Sequence, residues 1–237
     1  MTLPTTLPGA VIFDWDNTLV DSWRCIHASL TVTFEAMGLP AWSEDDTRRR
    51  ARRSLRESFP PLFGDRWEEA RTIYFDHFSA HHLEHLQPLP GAEPLLKALH
   101  GLGIYLAVVS NKTGRFLRRE AEALAWTGYF GNIVGATDAE ADKPALAPVS
   151  LALAPAGLTL ESLPAIGSWF VGDADIDMEC AHVAGCLPVL VGTAIDEDFG
   201  RYPPAVRFQS CLSLCDLVSR LADTISVSTI RNVTSQV

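Results

Sequence analysis

The chain has 237 residues, 47% of them hydrophobic and 20% charged, with a formal net charge of −10 at pH 7. That size and balance fit a large α/β domain, or a core carrying a small insertion. The acidic surplus argues against a nucleic-acid partner, which asks for a basic face, and no apolar run is long enough to cross a bilayer.

Residues 1–10 show neither the basic nor the apolar region of a secretory signal. The five cysteines, Cys25, Cys180, Cys186, Cys211 and Cys215, are odd in number and lack CxxC spacing, so they read as free thiols in a reducing cytoplasm. The first predicted strand, 10–13, is a short apolar run that ends in Asp14-Trp15-Asp16-Asn17-Thr18-Leu19. Carboxylates at a buried strand end must be paired, metal-bound or chemically active. Period-two alternation sets Asp14 and Asp16 on one side and turns Trp15 away. Two acids aimed at one point can serve as nucleophile and proton donor.

Residues 20–87 have helical periodicity and no convincing strand, which predicts an inserted helical subdomain. Within it, Arg48, Arg52 and Arg56 share a predicted helical stripe, with Arg49 and Arg53 alongside. Most of these read as a solvated face that suits the helix dipole after the acidic start Ser43-Glu44-Asp45-Asp46, and one is expected to touch substrate. His81, His82 and His85 lack a further ligand at metal-binding spacing and read as packing or surface residues. Trp23, Trp42 and Trp67 read as core of the subdomain, with Trp23 near enough to the first motif to line a pocket.

Pro88-Leu89-Pro90-Gly91 marks the return to the core. From there helices over 92–100, 115–125, 146–156, 176–184 and 212–221 alternate with strands over 104–109, 133–134, 169–171, 188–191 and, more weakly, 205–208. This is the pattern of a three-layer, doubly wound parallel sheet with helices on both faces. Gly101 and Gly185 stand where helix C-caps are expected. Residues 225–237 are expected to be a loose tail after a core of 1–19 and 88–224.

Three further groups follow their own strands: Ser110-Asn111, Lys143-Pro144, and Gly172-Asp173 through Asp177. Singly each reads as a cap, a turn or a surface residue. In an open parallel sheet, loops after strand carboxyl ends gather at one ligand-binding edge, so their joint order points to one site.

The ordered set resembles the haloacid dehalogenase superfamily. Asp14-Trp15-Asp16-Asn17-Thr18-Leu19 matches its first motif, Ser110 its second, Lys143-Pro144 its third and Gly172-Asp173 through Asp177 its fourth. The helical insertion looks like the family's C1 cap, and the nearest branch is the phosphoglycolate phosphatases. The resemblance implies a Rossmann-like core and hydrolysis of a small phosphorylated metabolite through an aspartyl-phosphate on Asp14. Asp16 is implied as acid and base, and Lys143 as the balancing charge. Ser110 and Asn111 are implied as phosphate donors. Mg²⁺ is implied on Asp14, the Asp16 carbonyl and Asp173, with Asp177 behind them. Asp16 disfavours a true dehalogenase. A sugar phosphomutase and a phosphate-binding regulatory protein without turnover stay open. Oligomeric state is not legible. Converging carboxylates also call for a cation on physical grounds, since each contact pair costs about 4 kcal/mol at an effective dielectric near 20. The helix entrance at Lys143-Pro144 is expected to begin with that proline.

Overall fold

The computed structural model describes residues 3–192 and 199–234, with side chains to Thr224. The chain opens on β1 (Ala10–Phe13), makes the short β2 (Val20–Asp21), and enters four helices: α1 (Trp23–Ala36), α2 (Glu44–Arg50), α3 (Leu55–Phe63) and α4 (Trp67–His81). It returns through β3 (Gln87–Pro88), α5 (Ala92–Gly101), β4 (Tyr105–Thr113), α6 (Gly114–Ala123), β5 (Asn132–Ala136) and α7 (Ala147–Leu153). It ends with β6 (Trp169–Gly172), α8 (Asp175–Ala184), β7 (Leu187–Val191), β8 (Val206–Phe208) and α9 (Cys211–Thr234).

Six strands form one sheet in the order β5-β4-β1-β6-β7-β8, with every pairing parallel. The strand order reverses between β1 and β6, so their carboxyl ends frame the crevice where such sheets bind ligands. Alternation along each strand builds two cores. Val11, Phe13, Leu106, Val108 and Val171 pack on one face against α5, α6 and α9. Ile12, Ala107, Val109 and Phe170 pack on the other against α7 and α8. Strands buried on both faces read as unbroken apolar runs, which is why these were legible in the sequence.

The insertion is helical as expected, but its two ends form a ribbon not foreseen there. Val20 pairs with Pro88 and Asp21 with Gln87, antiparallel. The cap has its own aromatic core of Phe34, Phe59, Phe63, Tyr74 and Phe78, which Phe116 of α6 joins from the main domain.

Gly185 caps α8 in the left-handed conformation, as the sequence suggests. Gly101 does not cap α5; it is the last helical residue, and Gly103 takes the left-handed turn at φ 72°. The expected tail from 225 continues as helix to Thr234, because α9 is not interrupted by glycine or proline. Cys211 is buried in the main core with Cys215 packed against it. All five cysteines are free thiols. No helix among the described residues is long and apolar enough to cross a membrane.

Candidate active site

Asp14 follows β1 directly and is anchored by its main chain, whose N–H donates to the Val171 carbonyl at 2.8 Å. The next residues fold into a tight turn. Three amides, of Thr18, Leu19 and Val20, converge on the Trp15 carbonyl, and Asn17 adopts a left-handed φ of 63°. Asn is among the few residues that tolerate that conformation. Asp14 and Asp16 line one cavity of about 120 Å³, while Trp15 turns into the main core and packs edge-on to Trp126 at 5.8 Å.

The third motif reaches the same point. Lys143, 2% exposed, donates from Nζ to Asp14 Oδ1 at 2.6 Å and to Asp177 Oδ1 at 2.7 Å. Asp177 Oδ2 accepts the main-chain N–H groups of Asp173 and Ala174. Gly172 makes this possible: a Cβ there would lie 2.3 Å from the Asp177 Cβ. Thr18 Oγ1 completes the cluster, donating at 3.3 Å to Asp14 Oδ2 and lying 3.5 Å from Asp173 Oδ1.

Electrostatics follow from burial. Desolvation pushes Asp14 up to about 6 despite the Lys143 ammonium, and the Asp177 charge adds to the rise. Desolvation, with Asp177 and Asp14 as neighbours, holds Asp173 well above the usual carboxylate range. Burial works against the Lys143 charge, but Asp14 and Asp177 outweigh it and keep the ammonium firmly protonated. The expected mutual repulsion is therefore relieved in part by protein cations. What remains uncompensated is concentrated on Asp14 and Asp173.

One oxygen of each of Asp14, Asp173 and Asp177 lies within 4.8 Å of the others, the one such ligand group found among the described residues. His81, His82 and His85 form none. An all-oxygen, electron-rich cluster of desolvated carboxylates fits a hard divalent cation such as Mg²⁺. Asp177 is held on both oxygens and Asp14 on Oδ1 by a short bond to Lys143, whereas the Asp173 carboxylate has, among the described residues, only long contacts to Thr18 at 3.5 Å and Arg52 at 3.4 Å and is the freest donor of the three.

The second motif divides its work. Ser110 is buried, lines the cavity and accepts the Lys112 amide on Oγ at 3.2 Å. Asn111 also lines the cavity, but its side chain is a tie between segments. Its Oδ1 accepts the Lys143 amide at 3.0 Å, and its Nδ2 donates to the carbonyls of Arg52 and Lys143. Pro144 does not open the helix after Lys143. The peptide between them is cis, α7 begins at Ala147, and Pro148 occupies its first turn.

The cap closes over this edge. The single arginine stripe is not formed, because α2 ends at Arg50 and α3 starts at Leu55, leaving Arg52 in the turn between. From that turn Arg52 reaches Asp173 at 3.4 Å. Arg56 forks onto the buried Asp142 at 2.5 and 2.6 Å. Trp23 lines the cavity with Arg52 over its ring at 5.8 Å.

Sequence reasoning missed one group. Lys112, beside the second motif, donates to Asp16 Oδ1 at 2.6 Å and to Glu120 Oε2 at 2.6 Å. Burial opposes the Lys112 charge, and the two carboxylates more than restore it. The Lys that follows Ser110-Asn111 was the available signal.

The sequence profile of the haloacid dehalogenase-like hydrolases matches residues 11–191. A phosphoglycolate phosphatase of Aquifex aeolicus is 31% identical over 184 residues, 76% of this chain and 83% of its own. A pyrophosphatase PpaX of Halalkalibacterium halodurans is 30% identical over 212 residues, 89% of this chain and 96% of its own. Among solved structures, a Had-superfamily hydrolase from Ehrlichia chaffeensis is 29% identical, with a TM-score of 0.61 over 92% of this chain and 98% of that one.

Proposed function

The chain belongs to the haloacid dehalogenase-like hydrolases and is a phosphatase, and from that premise we propose that it cleaves a small phosphate monoester through a covalent phosphate on Asp14. One observation carries the reading: Lys143 bridges Asp14 and Asp177 beside Asp173, while Asp16 faces the same cavity.

Asp14 attacks phosphorus as the bond to the departing alkoxide breaks, leaving the phosphoryl group on its carboxylate. Asp16 gives its proton to that alkoxide, then takes one from the water that attacks the same phosphorus. The acyl-phosphate bond breaks, inorganic phosphate leaves, and both aspartates return to their starting states. Lys143 holds Asp14 in line and balances charge on the phosphoryl oxygens. Ser110 and the main chain near Asn111 supply hydrogen bonds to those oxygens. Asp14, Asp173 and the Asp16 main-chain carbonyl are the residues to hold Mg²⁺, with Asp177 orienting them from behind. Once bound, the ion neutralises charge on the transferring group. Five unpaired thiols suit a cytoplasmic enzyme.

The named relatives make 2-phosphoglycolate and pyrophosphate the first compounds to assay, and their hydrolase activities favour phosphate release over phosphate migration. The test is a phosphate-release panel of these two, sugar phosphates and p-nitrophenyl phosphate, each with Mg²⁺ or EDTA. The expected result is Mg²⁺-dependent release that EDTA and Asp14→Asn abolish. Isomerised sugar phosphate without release would support a mutase instead, and silence throughout would support a non-catalytic phosphate binder.

A further inference from the structure

Asp16 sits beyond the end of β1, where its backbone makes an isolated bridge to Val20 and no strand neighbour fixes its side chain. A proton donor that rotates freely is a poor one, so something else must aim it. Lys112 is the side chain in contact. Its ammonium holds Oδ1 at 2.6 Å, and Oδ2 carries no hydrogen bond among the described residues.

Lys112 is itself gripped. Glu120, on α6 and 1% exposed, accepts Lys112 on Oε2 at 2.6 Å. The same oxygen accepts Trp15 Nε1 at 2.7 Å, and Oε1 takes Nδ1 of His82 at 2.8 Å. One buried carboxylate thus fixes both the partner of Asp16 and the residue lying between Asp14 and Asp16. A carboxylate only accepts, so His82 Nδ1 carries a proton. His82 Nε2 is buried without a partner, a loss of roughly 1–3 kcal/mol for an unmade hydrogen bond. His82 follows α4, the last cap helix, and its ring stacks on Phe78 at 5.2 Å.

Buried charge networks of this kind seldom add stability over an apolar core. Their use lies in a fixed geometry. We propose that Lys112, clamped by Glu120, is the positioning residue for Asp16, and that His82 makes the clamp depend on a seated cap. This rests on Asp16 being the proton donor of the reaction proposed above.

A mispositioned donor hurts poor leaving groups more than good ones. The experiment measures kcat/KM for phenyl phosphate and p-nitrophenyl phosphate, whose leaving groups differ in basicity, in wild type, Lys112→Met and His82→Phe. General acid catalysis is worth about 10²–10⁴-fold. In Lys112→Met, phenyl phosphate is expected to lose about tenfold more than p-nitrophenyl phosphate. His82→Phe keeps an aromatic ring over Phe78 and removes the Nδ1 donor together with the unpartnered Nε2, so the bond to Glu120 is the one hydrogen bond of the ring, among the described residues, that it loses, and it carries the test even if Lys112→Met does not fold. It is expected to shift the ratio the same way by about threefold, a part of that general-acid effect. Equal losses on both esters, or an unchanged ratio in both variants, would overturn the assignment and leave Lys112 a phosphate ligand or a structural ion. Wild type that releases no phosphate from these two esters or from any other compound of the phosphate-release panel would instead refute the reaction on which it stands.

Discussion

Lys143 is placed to serve folding and, in the reaction proposed above, chemistry. It lies between two carboxylates at 2.6 and 2.7 Å and is almost wholly buried. Removing one partner of a buried ion group leaves charge uncompensated, at a cost of about 3–5 kcal/mol. Lys143→Met is therefore expected to lower stability by about that much in metal-free buffer at pH 7, as read by urea denaturation. The deficit should shrink below pH 6, where Asp14 takes up a proton and no longer needs the ammonium. Activity should fall at least about a hundredfold, as for loss of other preorganised charge stabilisers. The convergence of Asp14, Asp16, Lys143, Asp173 and Asp177 was legible because they stand in three short motifs that follow β1, β5 and β6. Glu120, Trp15 and His82 were not: the contacts that join them span 38 and 105 residues of sequence. Nothing local distinguishes Glu120 from the solvated acids around it.

At the scale of elements, close approach matters more than periodicity. The turn from β6 into α8 brings Asp177 back over Gly172, and a methyl group at 172 would meet the Asp177 Cβ at 2.3 Å and its Oδ2 at 2.5 Å. Gly172→Ala must push the first turn of α8 outward. Overpacking of this kind costs roughly 1–3 kcal/mol. Displacing Asp177 also loosens the seat of Lys143 and Asp173, so kcat should drop on the order of tenfold to a hundredfold. Thermal melting and steady-state kinetics on the one variant check both. The strands and helices of the core and their parallel, doubly wound class were readable from apolar runs and their spacing; the order of strands in the sheet comes from the structure alone. The break between α2 and α3 was not, because an arginine-rich segment carries no apolar pattern to mark where the helix stops. That break sends Arg52 to Asp173 and Arg56 to Asp142.

The whole molecule is a sheet edge closed by a cap, with its charge cluster at the join. Phe116 packs into the cap's aromatic core, and the Arg56–Asp142 fork and the His82–Glu120 bond tie cap to core. The cluster is expected to make stability depend on pH and, with Mg²⁺ as the proposed ion, on metal together. Asp14 has a folded-state value of about 6, above its ordinary 3.8. The folded state therefore binds the proton more tightly, and metal-free protein loses stability as pH rises from about 4 to about 6. A divalent ion needs the deprotonated ligands, so Mg²⁺ should stabilise above that window and little below it. At a hundredfold excess over Kd the gain is about 2.7 kcal/mol, or about 5–10 °C in Tm at pH 7.5. A Tm shift independent of pH between 4.5 and 7.5 would contradict the cluster as the metal site.

The most direct measurement traps the covalent state. The enzyme is mixed with the most active ester of the phosphate-release panel and Mg²⁺, quenched within one turnover, reduced with borohydride and digested for mass spectrometry. A phosphoryl group on Asp14 leaves homoserine at position 14, and that conversion, absent without substrate, is the expected result. Phosphate release with an unmodified Asp14, or homoserine at another aspartate, would contradict it.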